Sequence, residues 1–355
     1  MAQLDVTRGR MRLPVIGAPL FIISNPKLVI AQCTAGIVGS FPALNARPQS
    51  QLDEWLDEIT SALAAHDAAH PDAPSAPFAV NQIVHRSNDR LEADLAVCEK
   101  YRVPIVITSL GARAELNDAV HGWGGKTLHD VINLRFAHKA LEKGADGLIP
   151  VCAGAGGHAG TLSPFALVPE LRQFFDGPIA LSGAIGTGDA VLAAQAIGAD
   201  YAYIGSAFIA MEEARASEDY KRAIVDGRAE DIVYTNLFTG VHGNYLRGSI
   251  ENAGLGPANL PEADPRKMNC GACGNSGAQA WKDAGATVEV NLQSSEPFWY
   301  RLRDGGDLTC HRVGMDAMLL AATVPGSASG ASPTASPRPG RGPSSANYAR
   351  SRSTV

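Results

Sequence analysis

Eight short apolar, β-branched runs recur along the chain at 15–20, 36–41, 77–84, 103–110, 125–132, 147–152, 178–185 and 201–208. Each is followed by a stretch of helical character, at 26–34, 51–66, 88–101, 112–121, 133–143, 165–175, 187–198 and 208–215. A continuous apolar run of this length reads as a strand buried on both faces, which parallel sheets provide. Ser87-Asn88-Asp89 and Thr187 stand where helix-capping residues are needed. Eight strand–helix units in roughly 200 residues predict an α/β fold, a closed (β/α)8 TIM-type barrel. A doubly wound sheet usually has fewer strands and needs a reversal of strand order.

Residues 216–324 break the rhythm with Gly and Pro punctuation, so a helical and irregular C-terminal cap is expected over a barrel spanning 1–215. Residues 325–355 are low in complexity and nearly free of large apolar side chains, the composition of a disordered C-terminal tail. The net charge of −6 gives no basic footprint, so no nucleic-acid partner is expected. No segment reaches the about 18 apolar residues of a membrane span. The first residues lack the pattern of a signal peptide. The six cysteines are dispersed, as in a reduced cytoplasmic protein.

The glycines gather where the strands end. "AGAGGHAG" (153–160) follows the sixth run, "SGAIGTGD" (182–189) the seventh and "IGS" (204–206) the eighth. In a (β/α)8 barrel these ends form the active-site mouth, and a phosphate commonly rests on the last two loops. Glycines there let backbone N–H groups approach a flat or anionic ligand. A phosphorylated planar cofactor fits that pattern. Ala159 stands where G-x-G-x-x-G would need glycine, and no P-loop lysine follows, which argues against a dinucleotide fold or an NTPase. His158, among the glycines, titrates near about 6.5 in its unperturbed state and suits acid–base work or anion binding.

"PVIGAPL", "VNQIV", "HDVIN", "GAGGHAG", "SGAIGTG" and "YIGSAFIA" together resemble the nitronate monooxygenase (2-nitropropane dioxygenase) family over roughly residues 10–260. That resemblance implies an FMN-dependent barrel. Ala18, Pro19 and Leu20 would lie against the isoalloxazine ring, and Asn81 would reach its polar edge. Gly156 and Gly157 would border the ring near the catalytic His158. Ser182, Gly183, Ala184, Gly205 and Ser206 would hold the FMN phosphate. The implied substrates are a nitronate or nitroalkane and O2, and the products a carbonyl compound and nitrite. A homodimer is a further expectation. NAD(P)H-dependent enoyl-acyl-carrier-protein or quinone reductases share the framework, and a degenerate FMN or phosphate binder is the non-enzymatic alternative.

One position departs from the pattern. Asp130 stands beside the implied flavin where some relatives carry lysine, so either a neighbour neutralises it or the cationic role has moved to Lys126. Cys152 reads as a buried strand-end thiol. Cys270, Cys273, Cys310 and His311 lack the spacing of a zinc site, and no metal is expected. Tyr234, His242, Asn244 and Tyr245 either shape a pocket over the mouth or serve as packing residues. After Trp281 the sequence leaves the family pattern, through divergence or an altered reading frame.

Overall fold

In the computed structural model, residues 2–238, 242–252 and 254–262 are described. Five strands run side by side in chain order: β2 (Gly39–Pro42), β3 (Phe78–Ile83), β4 (Ile105–Ser109), β5 (Lys126–Val131) and β6 (Gly147–Pro150). A second run places β9 (Tyr201–Ile204) between β1 (Val15–Gly17) and β8 (Ala180–Leu181). Parallel bridges Ile16↔Val38 at one seam and Leu148↔Ile179 with Val151↔Ser182 at the other join the two runs. The eight parallel strands thus close into the predicted barrel.

The intervening helices are α1 (Pro26–Thr34), α2 (Gln51–Ala69), α3 (Leu91–Lys100), α4 (Ala114–Gly122), α5 (Leu134–Glu142), α6 (Pro164–Arg172), α7 (Gly188–Ala196) and α8 (Ser206–Ile209). Asn25 caps α1 through the amides of Lys27 and Leu28, and Thr187 caps α7 through that of Ala190. The expected cap at 87–89 works differently. Asn88 accepts from Arg90 in a turn, donates to the Ile83 carbonyl, and lets α3 begin only at Leu91. The seventh run yields two strand residues because Gly183 (φ 155°) and Ala184 (φ 52°) turn the chain immediately afterwards. The helix expected at 208–215 is a single turn over 206–209, after which Arg215 docks its amide on the Ile23 carbonyl.

Strand side chains alternate, so one set fills the barrel and the other meets the helices. The interior set includes Ile16, Val38, Ala79, Ile105, Ile107, Leu128, Ile149, Ala180 and Tyr201. The shell between strands and helices forms two larger clusters, around Leu28, Leu148 and Phe208 and around Phe41, Trp55 and Val106. Leu4, just before a short 3-10 turn over Asp5–Thr7, also joins the interior cluster. The Tyr201 hydroxyl accepts from the Leu4 amide at 2.9 Å and shares a bond with the Thr7 hydroxyl at 2.8 Å. These bonds tie the N-terminal segment to the barrel.

Beyond the eighth unit lie α9 (Glu218–Asp226), an antiparallel pair β10 (Ile232–Thr235) and β11 (Gly243–Leu246), and α10 (Arg247–Asn252). Phe238, Tyr245 and Ile250 form a small core of their own. β11 also pairs with β7 (Gly157–His158), which lies in the loop after β6. The expected tail at 325–355 and the candidates Cys270, Cys273, Trp281, Cys310 and His311 lie outside the described residues. No helix among the described residues is long and apolar enough to cross a membrane. Tyr201→Phe should destabilise the protein by about 1–3 kcal/mol, because the buried Leu4 amide loses its acceptor. A fall in the thermal unfolding midpoint with unchanged far-ultraviolet circular dichroism is the expected result.

Candidate active site at the barrel mouth

Period-two alternation decides what the mouth contains. Above the inward residues Ala79, Ile107, Leu128, Ala180 and Tyr201 come Asn81, Ser109, Asp130, Ser182 and Tyr203. Asn81 Nδ2 donates to Ser109 Oγ at 2.9 Å and to the Ile107 carbonyl at 3.2 Å. The Asp130 carboxyl accepts from the Ser109 hydroxyl and from the Leu110 amide. Burial raises its pKa, against the opposing effect of His129 and these two donors. Burial also pushes the Tyr203 phenol well above its usual range, with Asp130 adding to the effect.

His129 alternates to the outer face of β5, where its Nδ1 meets the Thr108 hydroxyl at 2.6 Å. Burial lowers its pKa. Lys126 does not take over the place of a cation at the mouth. It sits four residues earlier on β5, about 13 Å along the strand, and its Nζ pairs with Asp146 at 3.2 Å. Burial would raise the Asp146 carboxyl, but the Thr127 amide, His121 and Lys126 outweigh it and hold it low. Of the two expectations for position 130, the structure therefore removes Lys126. It leaves an acid shifted toward its neutral form.

The glycine loop is held from outside. His158 pairs with Gly243 and Gly157 with Asn244 in the β7–β11 ladder. A Cβ on Gly243 would lie 2.5 Å from the Gly157 carbonyl oxygen, so only glycine permits this approach. Asn244 Nδ2 donates to the Ala155 carbonyl at 2.7 Å, and the Tyr234 hydroxyl donates to the Ala159 carbonyl at 3.2 Å. The Tyr234 ring stacks on His242 at 5.0 Å, and the buried Tyr245 packs edge-on against Phe238 at 4.8 Å. These four residues therefore clamp the loop or pack the cap. Burial lowers the His158 pKa, which favours a neutral imidazole at neutral pH.

The other predicted positions all lie at strand ends on this mouth. In the segment after β1, the Ala18 amide donates to Ile204, Pro19 has no N–H, and the Leu20 amide is taken by Ser24 Oγ. Ala18–Leu20 therefore offer a surface rather than hydrogen-bond donors. Asn45 fixes their turn, donating to the Leu20 and Ser24 carbonyls and accepting from the Ile22 amide. A Cβ on Gly205 would stand 3.4 Å from Leu20 and 3.6 Å from Ala18, which brings the β1 and β9 ends together. Ser206 is buried at the start of α8. Gly154 lies so close to Ala184 that its Cβ would approach that of Ala184 to 2.9 Å, and its carbonyl accepts the Ala184 amide. Ser182 and Gly183 lie beside the β6 end, with Ser182 accepting from the Cys152 amide. Gly156 and Gly157 precede His158 on the clamped loop. The buried Cys152 thiol is pushed up to about 12, far from a thiolate nucleophile. This open, glycine-lined rim with polar groups beneath it fits a planar phosphorylated ligand.

A profile of the nitronate monooxygenase family matches residues 9–265. The chain belongs to this family. It is an oxidoreductase, in a family of flavin-dependent enzymes. The nitronate monooxygenase of Paraburkholderia phytofirmans is 27% identical over 331 residues, covering 80% of this chain and 89% of that protein. The solved structure of nitroalkane oxidase from Streptomyces ansochromogenes superposes with a TM-score of 0.67 at 23% identity, covering 82% and 92% of the two chains. FabK from Thermotoga maritima gives 0.60 at 22% identity, covering 82% and 93%. These two likenesses support the barrel fold.

Ser109, Leu110, Tyr203 and Asn45 escaped the sequence reading of this family member. Ser109 and Tyr203 stand at inward periods of strands already recognised, so alternation alone signals them. Leu110 and Asn45 act through loop geometry, for which the sequence carries no signal. Asn244→Ala should leave the Ala155 carbonyl without its donor, a local penalty of about 1–3 kcal/mol. Amide exchange at 157–159 should then speed up while that of α2 stays unchanged. Identical exchange at the loop would show that Asn244 does not hold it.

Proposed function

We propose that the chain uses FMN to oxidise alkyl nitronates, and neutral nitroalkanes after deprotonation, with O2 as the final electron acceptor. The products are a carbonyl compound and nitrite. The observation that carries this reading is His158, desolvated and held over a glycine-rich mouth by the β7–β11 ladder. In this reading residues 1–215 form the cofactor-binding barrel, and the described residues from 216 to 262 belong to its cap. Ser182, Gly183, Ala184, Gly205 and Ser206 receive the phosphate, and Ala18, Pro19, Leu20, Gly156 and Gly157 flank the ring. Asn81 and Asp130, at the ends of β3 and β5, would contact its polar edge. Bound FMN supplies the electron acceptor that amino-acid side chains lack.

The protein's own residues do the rest. A neutral imidazole takes the α-proton of a nitroalkane and holds it as the substrate becomes anionic. The resulting imidazolium then pairs with the nitronate oxygens. The cap excludes bulk water by covering the loop, which strengthens that pairing. A preformed nitronate bypasses the proton transfer and uses His158 for orientation alone.

His158→Ala should keep its fold and its flavin, because the loop is fixed by backbone pairing and by Asn244 and Tyr234. Turnover of a neutral nitroalkane should fall by about 10²–10⁴-fold, the usual value of a general base. Turnover of the matching nitronate should fall much less. Steady-state rates of both variants on both forms of one substrate test this, and equal rates in wild type and mutant would remove His158 from the chemistry. The wider reading is tested by anaerobic mixing. The FMN-loaded protein should be bleached by an alkyl nitronate. Rapid bleaching by NADH with no response to nitronates would replace it with a reductase.

A further inference from the structure

Asp130 occupies an inward position directly above Leu128 and the apolar barrel interior. Two donors already serve its carboxyl, the Ser109 hydroxyl and the Leu110 amide. Asn81 Nδ2 donates to the Ser109 oxygen at 2.9 Å, which leaves the Ser109 hydrogen available to Asp130. Leu110 adopts φ 60°, an uncommon conformation for a leucine, in the turn from which its amide reaches the same carboxyl. These two donors fill two of the carboxylate's about four acceptor sites.

His158 stands over the same mouth from the loop after β6, and burial lowers its pKa while raising that of Asp130. His129, on the opposite face of β5, is biased toward its neutral form by burial. Tyr203, facing it from β9, remains a neutral phenol. From β4 the carboxyl meets Ser109 and Leu110, neither of which titrates. Lys126 is engaged with Asp146 farther down the strand.

We propose that Asp130 is a proton-accepting residue coupled to reduction of the flavin, taking up one proton as the ring gains two electrons. This rests on the reading that the mouth holds FMN. Two-electron reduction brings one proton to the ring and leaves it one negative charge. A carboxylate beneath that charge is repelled by it. Asp130 relieves the repulsion by taking a proton from solvent. The balance is two electrons and one proton onto the flavin and one proton onto Asp130.

The test is a reductive titration of the FMN-loaded protein with dithionite against a reference dye, from about pH 5 to about pH 9. Each proton taken up with two electrons contributes about 30 mV per pH unit. Wild type should show a segment of about 60 mV per unit above the Asp130 pKa of the oxidised protein and about 30 mV below it. Asp130→Asn should lose the break between them. Ser109→Ala removes a donor that favours the carboxylate, so its break should move to higher pH, and Ser109→Thr should restore it. The carboxylic C=O infrared band of the flavin-free protein provides a readout independent of flavin, and it should titrate in wild type and disappear in Asp130→Asn. A break that persists unchanged in Asp130→Asn overturns the proposal, as does a wild type with no break. If Asp130→Asn does not fold, an unmoved break in Ser109→Ala does the same. Failure of the wild type to bind FMN would overturn the flavin reading and this inference with it. Binding with identical slopes in wild type and Asp130→Asn overturns this inference alone.

Discussion

Closure of the parallel sheet is the constraint from which the remainder follows. The bridges Ile16↔Val38 and Leu148↔Ile179 turn two open runs of strands into one ring. A ring has no free edges, so its backbone groups are satisfied by neighbours all the way around. It also gives every strand an inside and an outside. The apolar inside residues, from Ile16 to Tyr201, set the register of the polar residues above them. Asn81, Ser109, Asp130 and Tyr203 come from four different strands and meet at one mouth because the same alternation governs each strand.

The mouth has two walls of different physical character. Beneath lies a hydrogen-bonded row running from Asn81 through Ser109 to Asp130. Asn81 enters it as a donor, since its amide nitrogen cannot accept. Above lies the His158 loop, nearly bare of side chains and unable to hold a shape by its own packing. Its position is imposed by backbone pairing to β11 and by donors from Asn244 and Tyr234. The cap therefore fixes the position of the loop. The close approach of Gly243 to Gly157 makes that pairing possible.

The two titratable groups on these walls are displaced in opposite directions by the same cause. Burial disfavours the charged form of each, lowering His158 and raising Asp130. Both are thereby biased toward neutrality. A neutral imidazole is competent to accept a proton, and a carboxyl shifted toward its neutral form is competent to exchange one.

The amino-acid sequence by itself determined the strand–helix alternation, and with it the barrel and the glycine-rich ends of its last strands. Those properties are local, since apolar runs and glycine-terminated strands carry their meaning within a few residues. The motifs around Gly157, Ser182 and Gly205 were legible for the same reason. Tertiary structure alone decided the fate of Asp130 and Lys126. The two sit on one strand four residues apart, and only the closed barrel shows one inside the mouth and the other paired with Asp146. It alone decided that Tyr234, His242 and Asn244 clamp the loop, because their partners Ala159 and Ala155 lie more than seventy residues away in the chain. Contacts between distant segments depend on how the ring closes and where the cap folds back, and no local pattern encodes that geometry.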